Sequence, residues 1–179
     1  SGLPEAAELA RQIPALDLDD PTGHDLSPEE KIDLARRCEA AALGADPRIT
    51  NSEGGDFADR RARYAYAGSH GFAAEYGTSS FSLSASPVAS ENGHMQRDGW
   101  YHVTRKRARL DSPEEIGKIA AQRAVRRLGA RQVKTAQVPV IFDPEMAASL
   151  VRHVAGAAAG PSLYRGASFL LDKLGQQIA

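Results

Sequence analysis

Two apolar spacings alternate along this chain. Helical spacing comes first. After Ser27-Pro28-Glu29-Glu30, the residues Ile32, Leu34, Ala35, Cys38, Ala41 and Ala42 recur at three- and four-residue intervals, up to Gly44. Ser27 can cap the first turn, Pro28 suits the first helical position, and Glu30 completes a capping box. The same device returns at Ser112-Pro113-Glu114-Glu115. Ile116, Ile119, Ala120, Ala124 and Leu128 then form a stripe, and Gly129 ends it. A third helix is expected from Met146 to Ala159, capped by Asp143-Pro144-Glu145 and broken at Gly160-Pro161.

Between the first two helices the period falls to two. Arg61–Ala67 alternates and meets the turn Gly68-Ser69-His70-Gly71. Phe72–Ala85 follows, Glu91-Asn92-Gly93 is a hairpin signal, and Gln96–Arg107 alternates with Trp100, His102 and Thr104 on one face. Val138–Phe142 reads as a further short strand. The pattern predicts an α+β fold: an antiparallel or mixed sheet with helices packed on one face. Residues 1–26 are acidic and turn-rich, and are expected to form a short helix over about Pro4–Ile13 and then an extended linker. Residues 27–179 form the α+β segment.

Charge changes this picture in one respect. The net charge of −1 hides a split, with five Lys/Arg against fourteen Asp/Glu over residues 1–59 and ten against three over 100–135. Such a split marks a basic helix face, a surface complementary to an acidic partner, or a nucleic-acid surface. The basic face Lys118, Arg123, Arg126 and Arg127 is expected to be solvated. Nucleic acid is disfavoured, because no recognised binding motif accompanies the basic residues. Cys38 is the only cysteine, which excludes a disulfide framework and a thiolate metal cluster, and its spacing predicts a small buried hydrophobe. No signal peptide or membrane span is legible, so a cytoplasmic protein is expected.

Candidate chemistry is sparse. His153 sits in the third helix, but its neighbours one turn away are Ser149 and Ala157, and no carboxylate lies between Glu145 and Asp172. A zinc peptidase helix needs two ligands a turn apart and a carboxylate base. Asn51-Ser52-Glu53-Gly54-Gly55-Asp56 reads as a loop whose glycines permit close backbone approach. Ser69-His70 lacks an orienting acid and reads as a hairpin turn. Ser79, Ser80, Ser82, Ser84 and Ser86 are expected to form one polar strand face, suited to solvent or to pairing with an extended peptide.

Five separated motifs resemble one family. Arg48-Ile-Thr-Asn-Ser-Glu-Gly-Gly55, Gly68-Ser-His-Gly71, Glu91-Asn-Gly-His-Met-Gln-Arg-Asp98, Pro139-Val-Ile-Phe142 and the run from Tyr164-Arg165 to Ile178 resemble, in order, the TldD/PmbA family, and its PmbA (TldE) branch most. The resemblance runs from about Leu16 to the end and covers the middle of a longer family protein, without the family's N-terminal and C-terminal portions. It implies a subunit of a zinc peptidase that degrades unfolded peptides and trims leader peptides. TldD-type subunits carry a zinc helix, His-Glu-x-x-x-His. Here Arg152, His153 and Ala157 occupy those three positions. The resemblance therefore implies a non-catalytic chain with no metal of its own, a TldD-like partner that holds zinc, and a peptide substrate.

Expected lining residues are Asn51, Glu53, Gly54, Gly55, Ser80, Ser82, His153, Tyr164 and Arg165. Unpaired sheet edges are expected to promote self-association. The alternative is a regulatory module for DNA gyrase or nucleic acid acting through the basic residues 105–134, since the PmbA branch also carries a name as a gyrase modulator.

Overall fold

A computed structural model describes residues 14–69 and 71–178. The expected helix Pro4–Ile13 and the side chain of His70 lie outside the described residues. The chain divides into two compact units, one ending at Arg131 and one beginning at Gln132.

In the first unit, α1 (Pro28–Gly44) starts where the sequence says it should. The Ser27 side chain accepts the Glu30 amide at 3.2 Å, and the Glu30 carboxylate accepts the Ser27 amide at 2.7 Å. Two of the orphan amides of the first turn are thereby satisfied. Cys38 and Ala42 are buried as expected, while Ile32 is 53% exposed because it falls beside the buried arc. Burial holds the Cys38 thiol up at about 11, which makes it inert packing.

Strands β1 (Ile49–Ala67) and β2 (Ala73–Glu91) form a long antiparallel hairpin, closed by the Gly68 amide donating to the Phe72 carbonyl at 2.8 Å. On its other side β2 pairs with β3 (His94–Arg97) and β4 (Trp100–Thr104). The sheet is wholly antiparallel. The expected strand over Gln96–Arg107 is interrupted at Asp98-Gly99. Pro87, buried in the central strand, sits beside that gap and beside a register shift in β1, where a missing amide costs the ladder least.

Helix α1 lies against β1 and β2, and α2 (Pro113–Arg126) against β2 and β4. Leu83, Ala85 and Ala89 of β2 pack with Cys38 and Ala42 of α1 and Ile116, Ala120, Ala121 and Ala124 of α2, while Phe81 on the same face is covered by His24. The interlocking is close enough to require glycine. A Cβ on Gly117 would stand 2.2 Å from the Cys38 carbonyl oxygen, and one on Gly55 would stand 2.2 Å from that of Ala35.

The second unit contains α3 (Pro144–Ala158) and the short α4 (Gly160–Tyr164), followed by turns. Asp143 caps α3, accepting the Glu145 amide at 3.1 Å. Val138–Phe142 is not a strand. A strand exists only in a ladder, and no segment of this unit pairs with it among the described residues. No described helix is long and apolar enough to cross a membrane.

Candidate functional site

Asn51–Gly55 is not a loop. It runs inside β1, where Asn51, Ser52 and Gly55 pair with Val88, Pro87 and Ala85 of β2, and a register shift between Ser52 and Gly55 takes up Glu53 and Gly54. Gly54 takes φ +123°, a conformation that glycine adopts without strain. Its amide donates to the Ser52 hydroxyl at 2.9 Å, and the Asn51 side chain accepts the Ser52 amide at 2.9 Å. Glu53 is paired with Arg97 of β3. The close approach that Gly55 permits is to helix α1, which leaves no room there for a ligand.

The serine face also divides. Ser79 is 1% exposed and faces the side of Phe81 and Leu83. Ser80, Ser82, Ser84 and Ser86 lie half-buried on the face opposite α1 and α2, as the period of two demands. The Ser79 position belongs to the odd-numbered set, which the expected single face overlooked. Ser82 pairs with Ala58 and Val103, and Ser80 with Arg60. Gly55 faces α1, so the pleat sets it on the other side of the sheet from Ser80 and Ser82.

The residues that sequence reasoning missed belong to the acidic segment. Residues 14–26 form neither helix nor strand, turn over 21–24, and are docked along the sheet. The Ser79 hydroxyl donates to Asp19 at 2.5 Å and accepts the Asp20 amide at 2.8 Å. Asp20 also accepts the Arg107 amide at 2.9 Å. Lys106 reaches Asp17, Arg107 reaches Asp25 at 3.0 Å, and Arg61 reaches Asp19 at 2.7 Å. Asp59 joins Lys31 at 2.8 Å and His24 at 3.0 Å, and the His24 ring rests 4.6 Å from Phe81. The hydrogen bond from Arg61, helped by Ser79, holds the Asp19 carboxyl down at about 2. Lys31 does the same in direction for Asp59, and the Arg107 amide for Asp20. The acidic complement of the basic region is thus partly the chain's own N-terminal segment; the opposite charge densities were the only signal of it. Arg123, expected in solvent, lies 5.0 Å over the Trp100 ring and 3.6 Å from Asp98.

In the second unit, His153 sits in the middle of α3, with Nδ1 2.9 Å from the Ser149 carbonyl oxygen of its own helix. Tyr164 is 94% exposed at the end of α4, and Arg165 follows it, exposed. Ser168 fastens the following turn by donating to the Ala157 carbonyl at 2.7 Å. These residues do not fit zinc. Arg152 is a cation and Ala157 has no donor atom, which leaves His153 as a lone ligand. Among the described residues, no three His, Cys, Asp or Glu side chains converge as a metal site.

The solved structures that resemble this chain share its fold. A Bacteroides thetaiotaomicron protein named as a candidate modulator of DNA gyrase superposes with a TM-score of 0.89 at 29% identity, over 99% of this chain and 41% of its own. A Thermotoga maritima protein of similar name gives 0.86 at 23% identity, over 94% and 39%. Among curated proteins, metalloprotease PmbA of Escherichia coli O157:H7 is 44% identical and a PmbA homolog of Haemophilus influenzae is 36% identical, each across 99% of this chain. The chain spans 39% of the length of each. The family model described as the PmbA/TldA metallopeptidase central domain matches residues 21–128, and its C-terminal domain counterpart matches 135–179. With the central-domain match covering more than half of the sequence, the chain belongs to the PmbA/TldD metallopeptidase family.

Proposed function

We propose that this chain is part of the non-catalytic, PmbA-type subunit of a two-subunit cytoplasmic zinc peptidase that acts on unfolded or leader peptides. A TldD-like partner supplies the metal and the base. One observation carries the reading. Helix α3 keeps the family's helix and its Gly160-Pro161 break, but presents Arg152, His153 and Ala157 where a zinc helix has His, Glu and His. Zinc binds through imidazole, thiolate or carboxylate, and a guanidinium or a methyl group replaces none of these. The ring of His153, turned to its own helix backbone, supports a structural role.

In this reading the open serine face, with Ser80 and Ser82, and the exposed Asn51 and Glu53 line the space in which an extended substrate is held. Gly54 sets the backbone of that wall, and Gly55 is withdrawn from it under α1. Tyr164 and Arg165 present an exposed aromatic and a cation for the partner.

The deciding experiment measures hydrolysis of an unfolded peptide by the full-length protein, alone and with a TldD-like subunit. Cleavage is expected only with both. Cleavage by the full-length protein alone, or stoichiometric zinc held tightly by it, would overturn the proposal. Hydrogen exchange with and without the partner tests the lining, which fails if neither the serine strand nor residues 51–54 change protection.

A further inference from the structure

Strand β2 has an edge that its sheet does not use. β4 stops at Thr104, opposite Phe81, yet β2 begins back at Ala73. Over that stretch β1 pairs with one side of β2, and no strand pairs with the other among the described residues. In an antiparallel ladder the N–H and C=O of one residue point to the same side, and successive residues point to opposite sides. The Ser79 amide donates to Leu18 of the acidic segment at 2.9 Å, and therefore points away from β1. The period of two then aims the main-chain groups of Gly77 and Glu75 the same way.

Beyond Leu18 the acidic segment leaves the strand. A cleft of about 710 Å³ opens between them, with Pro14, Leu16 and Leu18 on one wall and Glu75, Tyr76 and Gly77 on the other. The cleft has apolar surface, aligned main-chain donors and acceptors, and a definite charge. Asp17, Asp19 and Glu75 border it, and among the described residues no cationic one does. Lys106 occupies Asp17 at 2.5 Å, and Arg61 occupies Asp19 at 2.7 Å. Glu75 reaches Arg63 only at 3.9 Å, with the two side chains 64% and 75% exposed, so among the described residues its carboxylate is the least engaged of the three and the most accessible to a ligand cation.

We infer that this cleft binds an extended peptide by strand addition along Glu75 and Gly77, taking an apolar side chain against the Leu16–Leu18 wall and a basic side chain at Glu75. Main-chain bonding supplies affinity without regard to sequence, and the alternating pockets supply a preference for basic–apolar alternation. The inference rests on the peptide-handling reading and extends it to a second grip, remote in sequence from α3.

The test uses the full-length protein without any partner, and a fluorescent octapeptide of alternating lysine and leucine. Saturable binding is expected. Glu75→Lys should weaken it by about tenfold, because like charge then faces the lysine. A copy of the peptide with every amide N-methylated should fail to bind, since it cannot join a ladder. Equal binding of the N-methylated copy, indifference to Glu75→Lys, or no saturable binding overturns the inference. So does binding that appears only after removal of residues 1–13, which would make the cleft's occupant the chain's own N-terminal segment. Failure here with partner-dependent cleavage intact removes the cleft and leaves the proposed function. Binding here without any partner-dependent cleavage does the reverse.

Discussion

Helices α2 and α3 begin alike and end differently. Each has a side-chain cap, then Pro and Glu, and they run 14 and 15 residues. Each carries an apolar stripe. Yet α2 buries Ile116, Ala120, Ala121 and Ala124 almost completely, and α3 buries nothing, with Leu150, Val151 and Val154 at 50%, 70% and 44% exposure. Local signals fix where a helix starts. What holds it is the surface it faces, because short helices are marginal without tertiary packing. In the first unit that surface is supplied by α1 and the sheet.

The largest expected effect tests this contrast directly. Leu83 is fully buried in β2 within the cluster that α2 packs on, and Leu83→Ala should cost about 4 kcal/mol through lost transfer energy and the cavity left behind. Leu150→Ala in α3 should stay within about 0.5 kcal/mol, as an exposed substitution does. Urea unfolding of this chain measures both. A comparable loss from Leu150→Ala would show that α3 is covered in solution, and the contrast would collapse.

Glycines sharpen it next. Gly117→Val drives a side chain into the Cys38 carbonyl and should cost about 3 kcal/mol or more, since backbone on both sides has little room to yield. Gly156 in α3 has open space around it, and Gly156→Ala should instead stabilise its helix by up to about 1 kcal/mol. Thermal unfolding for the first and helical content for the second give the two signs. A Gly117→Val protein that melts unchanged would mean that α1 and α2 are not in the close contact described.

These pairs also mark where sequence reading succeeds. Ser27, Ser112 and Asp143 were legible as caps because a cap bonds to amides two or three residues away. The alternation of Trp100, His102 and Thr104 was legible because a strand's faces repeat every two residues. Gly55 and Gly117 were not legible as helix-packing residues, because their neighbours, Ala35 and Cys38, are 20 and 79 positions away in the numbering. Val138–Phe142 has strand composition but no ladder in its unit. For the candidate site, the mismatch of Arg152, His153 and Ala157 with zinc needed only residue types. The docking of Asp19 and Asp20 on Ser79 needed the fold, since nothing near residue 20 announces a partner 59 residues on.

Caps give a smaller effect. Ser112→Ala should lower the stability of the first unit by about 1 kcal/mol, because the Glu115 amide loses its acceptor in a helix on which the core depends. Asp143→Ala removes an equivalent bond from α3 and should raise amide exchange only within its first turns. If Asp143→Ala instead shifted the urea midpoint of the whole chain, the two helices would belong to one cooperative unit.

The acidic segment differs from both helices, because ion pairs and hydrogen bonds rather than apolar burial dominate its docking, and acid separates the two causes. The Asp19 carboxyl is held at about 2, below its ordinary 3.8, by Arg61 first and then Ser79. A depressed carboxylate contributes its stabilisation fully above the ordinary value and loses it as the pH falls through the folded one. Asp20 and Asp59 shift in the same direction, through the Arg107 amide and Lys31 respectively. Between pH 3.8 and about 2, the Ser79 amide, bonded to the Leu18 carbonyl, should therefore lose protection before the Ala120 and Ala124 amides of α2 do. Asp19→Asn should expose the Ser79 amide already at neutral pH and flatten this acid dependence. Simultaneous loss of protection at Ser79 and in α2 would mean that the segment is held by the core itself, and its docking would then be part of the fold rather than an electrostatic attachment to it.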